Sequence, residues 1–215
     1  VRDLEHFNID TMNVHKLCDD IYPEFEKIRD DDHIEVEIRL GKFNGTFFDT
    51  NLGRDTHVKL LKGFQKYGGW EQVVQTHEEV FYRERDNMRI TVDENTGDET
   101  IIRKERVFKK DFKAIDSAPY DLRVSVAKEV PVTEEIEREM DKKRNKARLS
   151  YVRKNLSIDI TTCTGDITDM DAEDICTYQV EFEIVDSKQV QTKDDLFKIL
   201  HKIRDVFNLL TSNRC

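Results

Sequence analysis

Residues 34–40 alternate hydrocarbon with charge: Ile34, Val36, Ile38 and Leu40 share one parity, and Glu35, Glu37 and Arg39 share the other. A strand sends successive side chains to opposite faces, so this stretch has an apolar face and a charged face. Residues 179–184 repeat the pattern, with Val180, Phe182 and Ile184 opposite Glu181 and Glu183. Other segments obey the same rule. Arg89 and Thr91 oppose Met88, Ile90 and Val92. Arg123, Ser125, Ala127 and Glu129 oppose Leu122, Val124, Val126 and Val130. Arg144, Lys146 and Arg148 oppose Ala147, Leu149 and Tyr151, and Ser157, Asp159 and Thr161 oppose Leu156, Ile158 and Ile160. The strand with Lys104 and Arg106 is less clean, because Ile102 and Phe108 share their parity.

Any one of these strands fits an ordinary antiparallel sheet with one wet face. The ensemble fits less well, because a solvent face mixes Thr, Lys, Gln and Ser loosely. Here the polar faces are rich in Arg and Glu, clustered by sign and by strand. The pattern points to a mainly β (α+β) fold, a closed antiparallel barrel of about eight strands turned inside out, with a charged lumen. Its apolar outer wall needs covering. Paired like charges such as Glu35 with Glu37 and Glu181 with Glu183 also need a reason, and a hard divalent cation is the obvious one.

The covers are predicted as helices. Residues 11–29 carry an apolar stripe through Leu17, Ile21, Phe25 and Ile28, with Pro23 expected to break or kink it. Residues 55–67 read as a second helix ended by Gly68-Gly69, and 192–211 as a third with Leu196, Leu200, Ile203 and Phe207 inward. Thr133 to Glu137 predicts a short charged helix after Pro131. Strands are expected near 33–43, 46–50, 71–84, 87–93, 99–110, 120–130, 144–153, 156–163 and 176–186. Tight turns are expected at Asn44-Gly45, at 95–98 and at Lys154-Asn155. Asp166 to Asp174 reads as a solvated acidic loop without EF-hand spacing.

Composition narrows the class. The 215 residues suit a single domain spanning 1–215, and a start at Val1 suggests a piece of something longer. A net charge of −10 argues against a broad basic face for DNA or RNA, although it allows a buried basic pocket for one phosphorylated end. Cys18, Cys163, Cys176 and Cys215 show no metal spacing and read as reduced thiols in a cytosol-like compartment. The six histidines form no HExxH. No run reaches membrane-span length, so no membrane partner is expected.

The order of these motifs resembles the tunnel-type, metal-dependent RNA 5′-triphosphatases of fungal, protozoan and DNA-virus mRNA capping. HIEVEIRLGKF resembles the family's first metal strand and YQVEFEI its last. MRITVDENTG, IIRKERV, LRVSVAKE, RNKARLSY and IDIT resemble the strands between them. The resemblance runs from about residue 30 to residue 186 in the family's order. It departs at Gln179, where the family often carries a third Glu.

The resemblance implies hydrolysis of the γ-phosphate from the 5′-triphosphate end of nascent mRNA, the first step of capping. It implies Glu35, Glu37, Glu181 and Glu183 as ligands for Mg²⁺ or Mn²⁺. Glu129 becomes the residue that orients or deprotonates water, and Arg89, Lys104, Arg144, Lys146 and Arg148 become the phosphate clamps. Arg39, Arg106, Arg123, Asp159 and Thr161 are implied as substrate contacts. The DNA-virus members further imply a guanylyltransferase domain in the same longer chain and, for a viral protein, location in the virion and host cytoplasm. Two other readings stand beside this one. Tunnel enzymes also cleave inorganic tripolyphosphate, thiamine triphosphate or nucleoside triphosphates, or cyclise ATP, but they usually start ExExK near the N-terminus, whereas here a helical segment precedes the motif and its third position is Arg39. A non-catalytic binding module would need the cations but not both Glu pairs and Glu129.

Overall fold

The computed structural model describes residues 13–113, 118–165 and 176–212. Nine antiparallel strands run β1 (Ile34–Asn44), β2 (Phe47–Asp49), β3 (Gln72–Arg83), β4 (Met88–Asp93), β5 (Glu99–Phe112), β6 (Asp121–Pro131), β7 (Lys142–Arg153), β8 (Leu156–Gly165) and β9 (Thr177–Ile184). Their order is β2-β1-β6-β5-β4-β3-β7-β8-β9, and β1 also pairs with β9. Eight strands therefore close into a barrel, and the short β2 lies outside the ring on β1. Closure leaves the eight without a free edge, which suits a sheet that must enclose charge. The seam is short: Glu37 pairs with Glu183, Ile38 with Phe182 and Arg39 with Glu181.

Alternation sorts the side chains as the sequence pattern requires. Val36, Ile38 and Leu40 of β1, Leu122, Val124 and Val126 of β6, and the even-numbered apolar residues of β8 and β9 are all buried on the outer wall. They are covered by α1 (Val14–Glu26), α2 (Arg54–Lys66) and α3 (Lys193–Thr211). Leu17, Ile21 and Phe25 of α1, Leu60 and Phe64 of α2, and Leu200, Ile203 and Phe207 of α3 complete one core. The core thus lies between barrel and helices, not inside the barrel. Each cover starts or stops for a local reason. Asn13 caps α1 by accepting the Lys16 N–H at 3.0 Å. Thr192 and Asp195 cap α3 reciprocally. A side chain at Gly63 would stand 2.5 Å from Leu209, so the glycine lets α2 approach α3 closely.

Two local expectations are corrected. α1 runs through Pro23 to Glu26. The missing N–H costs one bond in the last turn, and buried Ile21 and Phe25 hold the helix beyond it. Residues 133–137 form no helix. A short isolated helix is marginal in water, and here tertiary bonds claim the backbone instead. The Val132 N–H donates to Ile101 O at 2.9 Å and the Asp141 N–H to Tyr82 O at 2.8 Å. Between them the Arg83 guanidinium donates to the Glu137 carbonyl. The segment is therefore an extended strap from β5 back to β3. The expected acidic loop at Asp166–Asp174 lies outside the described residues, as does Cys215. No described helix is long and apolar enough to cross a membrane.

Because the core is a helix-to-barrel interface, truncation there acts on global stability. Phe207→Ala, at a fully buried position, is expected to cost roughly 3–5 kcal/mol in urea unfolding. Val58→Ala, on the exposed side of α2, is expected to stay within about 0.5 kcal/mol. Similar losses at both positions would mean that α3 does not seal the outer wall.

Candidate active site

The inward parity of β1, β6, β5, β4, β3, β7, β8 and β9 builds a polar cavity of about 290 Å³ inside the barrel. Glu35, Glu37 and Arg39 line it from β1, and Glu181 and Glu183 from β9. Arg89 and Glu129 line it from β4 and β6, and Lys146 and Arg148 from β7. With Glu78 and Val80 of β3 and Thr100 and Ile102 of β5, one lumen gathers side chains from seven strands.

Pairing inside it is dense. Arg39 bridges the two Glu strands: its Nε lies 3.0 Å from Glu37 Oε1 and its Nη2 lies 2.8 Å from Glu181 Oε1. Lys104, from β5, sits between Glu35, to which it donates a short hydrogen bond, and Glu129 at 3.3 Å. Arg89 stands 3.6 Å from Glu129. Arg148 reaches Asp159 at 3.5 Å and Glu181 at 4.0 Å. Asp159 is almost fully buried and accepts from Ser157 Oγ at 2.6 Å. That second bond fixes the carboxylate that faces Arg148.

The electrostatics follow from burial and neighbours. Burial opposes ionisation of Glu181, yet Arg39, Lys146 and Arg148 outweigh it and hold the carboxyl down at about 2. Glu183 goes the other way. Burial, then the charges of Glu35, Asp159 and Glu181, push its carboxyl up to about 8. Burial also opposes charge on Lys104 and Arg148, but neighbouring carboxylates raise both above their ordinary values. Among the described residues Glu183 forms no ion pair. The lumen is thus locally short of positive charge at Glu183, which stands directly opposite Glu37 across the seam.

This donor set fits a hard cation in its chemistry, since four carboxylates on two adjacent strands are oxygen ligands with unrelieved repulsion. Arg39 and Lys104 hold three of the four, and no three acidic, His or Cys groups among the described residues converge in ligating positions. The cationic wall fits an anion. Nε of Arg89 and of Arg148, and Oε1 of Glu129, are buried without a hydrogen-bond partner in the protein. They point to a ligand that supplies oxygens to the guanidinium groups and a proton to the carboxylate.

The remaining sequence-derived candidates lie around this centre. Arg144 stands 5.5 Å from the Tyr82 ring, with Arg89 at 5.3 Å from the same ring. Thr161 is buried beside Gln179 in the β8–β9 register, and its Oγ1 has no partner in the protein. Arg123 stands opposite Arg39 in the β1–β6 register but does not line the cavity: it pairs with Asp111 at 2.7 Å and stacks 4.5 Å over Phe48. Arg106 is exposed beside a register shift in β5 and does not line the cavity. That shift explains the mixed parity read in the sequence, because the extra residue moves Phe108 to the outer face opposite Val126. Glu78 lines the cavity although the sequence reading did not single it out. It is paired with Lys146 in register and raises the charge preference of Arg148. Its parity with Thr76 was the available signal, but Glu79 beside it and apolar Val80 on the same face hid the alternation.

Comparison with known proteins is consistent with this geometry. No curated protein matches the chain. Among solved structures, the S. pombe Pct1 RNA triphosphatase superposes with a TM-score of 0.73 at 18% identity, covering 91% of this chain and 92% of that one. The same enzyme in complex with the Spt5 CTD superposes with a TM-score of 0.72 at 18% identity and the same coverage. At that identity the likeness shows the fold. The family described as the mRNA capping enzyme, beta chain, matches residues 65–211. That span holds β3 to β9 and all of α3 and leaves β1 outside. It covers well over half of the 215 residues, and on that match the chain belongs to the mRNA capping enzyme beta-chain family.

Proposed function

We propose that the protein hydrolyses the γ-phosphate from the 5′-triphosphate end of nascent mRNA, leaving a 5′-diphosphate end for capping. The observation that carries this reading is the lumen itself, where Arg89, Lys146 and Arg148 face Glu129 and the two Glu strands across one cavity. Phosphoryl transfer leaves a protein little covalent work, so positioning and neutralisation dominate. Arg89 and Arg148 clamp phosphate oxygens with their unpartnered Nε groups, and Arg suits this because its planar fork binds two oxygens at once. Lys146, Arg144 and Lys104 add charge. Asp159 positions Arg148. Glu129, whose Oε1 lies 3.3 Å from Lys104 and 3.6 Å from Arg89 without accepting a hydrogen bond from either, orients the attacking water and accepts its proton. Thr161 supplies a hydroxyl near the clamp. Arg39 stands between the Glu pairs, whereas Arg123 and Arg106 serve outside the cavity.

Glu35, Glu37, Glu181 and Glu183 would hold Mg²⁺ or Mn²⁺, which as a Lewis acid supplies neutralisation of the charge developing on the γ-phosphate. Arg39 and Lys104 would then turn from these carboxylates toward the substrate. We further infer that the product is passed to a guanylyltransferase, and that the free thiols of Cys18 and Cys176 belong to a reducing, cytosol-like compartment. Phosphate release from triphosphate-ended RNA, with and without Mn²⁺ or Mg²⁺, tests the activity. Release from inorganic tripolyphosphate but not from RNA would move the protein to another branch of tunnel hydrolases.

Glu183 and Glu181 are expected to respond oppositely to substitution when metal is chelated. The folded Glu183 carboxyl sits near 8, far above its usual value. Its cost to stability is therefore absent below about pH 4.5, grows with rising pH, and is complete above about pH 8. At pH 8.5 Glu183→Gln will raise the melting temperature, and Glu181→Gln will lower it by leaving Arg39 and Arg148 short of a partner. Mn²⁺ will raise the wild-type melting temperature by mass action and both variants less. Equal metal-induced shifts in all three proteins would put the ion elsewhere.

The Arg144-Lys146-Arg148 row is expected to read charge and not base sequence. Its cations project inward about 6.5–7 Å apart, near the span of a triphosphate. Arg148→Lys will lower the rate although charge is kept, and Arg148→Ala will lower it further by leaving buried Asp159 unpaired. Steady-state kinetics on RNAs of unrelated sequence check this; near-normal rates for both variants would remove Arg148 from the clamp.

A further inference from the structure

A second and larger concavity, of about 760 Å³, lies on the outside of the barrel between α2, α3 and the β7–β8 turn. It shares no lining residue with the lumen. Its floor is apolar, made by Leu156, Ile158, Val190, Ile199, Val206 and Leu209. One wall is aromatic. Phe64 and Trp70 lie 5.2 Å apart, Tyr67 and Trp70 5.1 Å, and Trp70 and Tyr151 5.3 Å. The Trp70 indole is fixed by its bond to the Phe64 carbonyl at 2.9 Å.

The apolar surface continues beyond the groove. Tyr67 is 43% exposed, Val73 51% and Val185 56%. Val73 is the register partner of Tyr151, and the Val185 N–H donates to Asn155 O at the groove's edge. Tyr67 and Val73, two of the few exposed large hydrophobic side chains among the described residues, therefore lie beside the aromatic wall, which marks an interaction surface better than isolated exposure does.

The charge at the rim selects the partner. The protein carries −10 overall, yet this rim is basic. Its acids are already engaged: Asp195 accepts from Thr192, and Asp205 pairs with Lys202 at 2.9 Å. Lys198 is paired with Asp194. Arg153 and Lys154, both exposed at the β7–β8 turn, form no ion pair among the described residues. Arg153 is held over the Tyr67 ring at 5.4 Å, which keeps its charge at the lip of the aromatic wall. The Glu71 carboxylate accepts the Lys154 backbone N–H at 2.9 Å but pairs with neither side-chain cation. An apolar trough ending in two side-chain cations without an ion-pair partner among the described residues is complementary to an apolar anchor flanked by carboxylates.

We propose that this groove docks an acidic peptide segment of a partner protein, seating an aliphatic or aromatic side chain against Trp70 and placing carboxylates on Arg153 and Lys154. The inference is independent of the catalytic reading, because the groove and the lumen lie on opposite faces of the same strands.

Trp70 is the chain's single tryptophan, so its emission reports occupancy directly. The probe is a twelve-residue synthetic peptide of Asp, Glu, Leu and Phe. Its controls are a copy with Lys and Arg replacing the acids and a copy with Ser replacing Leu and Phe. The acidic apolar peptide is expected to shift Trp70 emission saturably, and each control to bind at least about tenfold more weakly. The double variant Arg153→Glu/Lys154→Glu is expected to lose a similar factor, while its phosphate release from triphosphate-ended RNA stays at the wild-type rate. Tyr67→Ser, at an exposed position, provides a second variant that weakens the apolar contact without disturbing the core. Equal binding of the acidic and basic peptides, or unchanged binding by the charge-reversed variant, would overturn the proposal. So would concentration-dependent self-association that Tyr67→Ser abolishes in a protein that ignores all three peptides. If the wild type releases no phosphate but binds the acidic peptide, the catalytic reading fails and this one stands.

Discussion

Every part of this fold answers to one constraint: a closed barrel that encloses charge must neutralise it internally. The β1–β9 seam places Glu37 against Glu183 and Arg39 against Glu181, so three carboxylates and one guanidinium meet where two strands join. Water cannot screen them well at that depth, and each charge has to find a partner from another wall. Arg39 bridges the seam. Lys104 crosses from β5 to Glu35, and Arg148 crosses from β7 to Glu181 and Asp159. The balance is incomplete at Glu183, the one carboxylate of the two Glu pairs that forms no ion pair among the described residues.

The same constraint decides where the hydrophobic core goes. If the inner parity is polar, the outer parity must carry the apolar residues, and they must be covered. Three amphipathic helices cover the β6–β1–β9–β8 arc, which is why Phe25, Leu60 and Phe207 are fully buried though none belongs to the barrel. The β3–β4–β5 arc receives the extended strap at 132–141 instead, tied down by Arg83 and by backbone bonds to Ile101 and Tyr82. The uneven cover leaves aromatic side chains at the margin between α2 and α3, and the external groove forms there.

Catalytic function on such a scaffold depends on rigid strands. The side chains proposed to clamp phosphate project from paired backbone, and their rotamers are limited by neighbours from adjacent strands. The unpartnered guanidinium nitrogens of Arg89 and Arg148 are tolerable in that setting because a triphosphate would complete them. A loop-borne site would let those groups fold back on solvent or on the backbone.

Much of this was legible in the chain before any coordinates, because strand alternation has a period of two and needs no tertiary information. Parity alone assigned Glu35, Glu37, Glu181 and Glu183 to one kind of face, and Ile38, Val124 and Phe182 to the other. It separated helical covers from strands through the apolar stripes of 11–29 and 192–211. Parity could not say which strands are neighbours, and so it could not foresee that Lys104 meets Glu35 and Glu129 while Arg123 turns to Asp111 and Phe48. Those partnerships depend on register and shear, which are properties of the closed sheet. The bulge in β5 and the strap at 133–137 were hidden for the same reason: long-range backbone hydrogen bonds outweigh local preference there. Glu78 escaped because Glu79 stands beside it and apolar Val80 shares its face. Strand parity settles which side chains face inward and that their charges must be met; which charge meets which follows from how the barrel closes, because closure sets the distance between side chains on different strands.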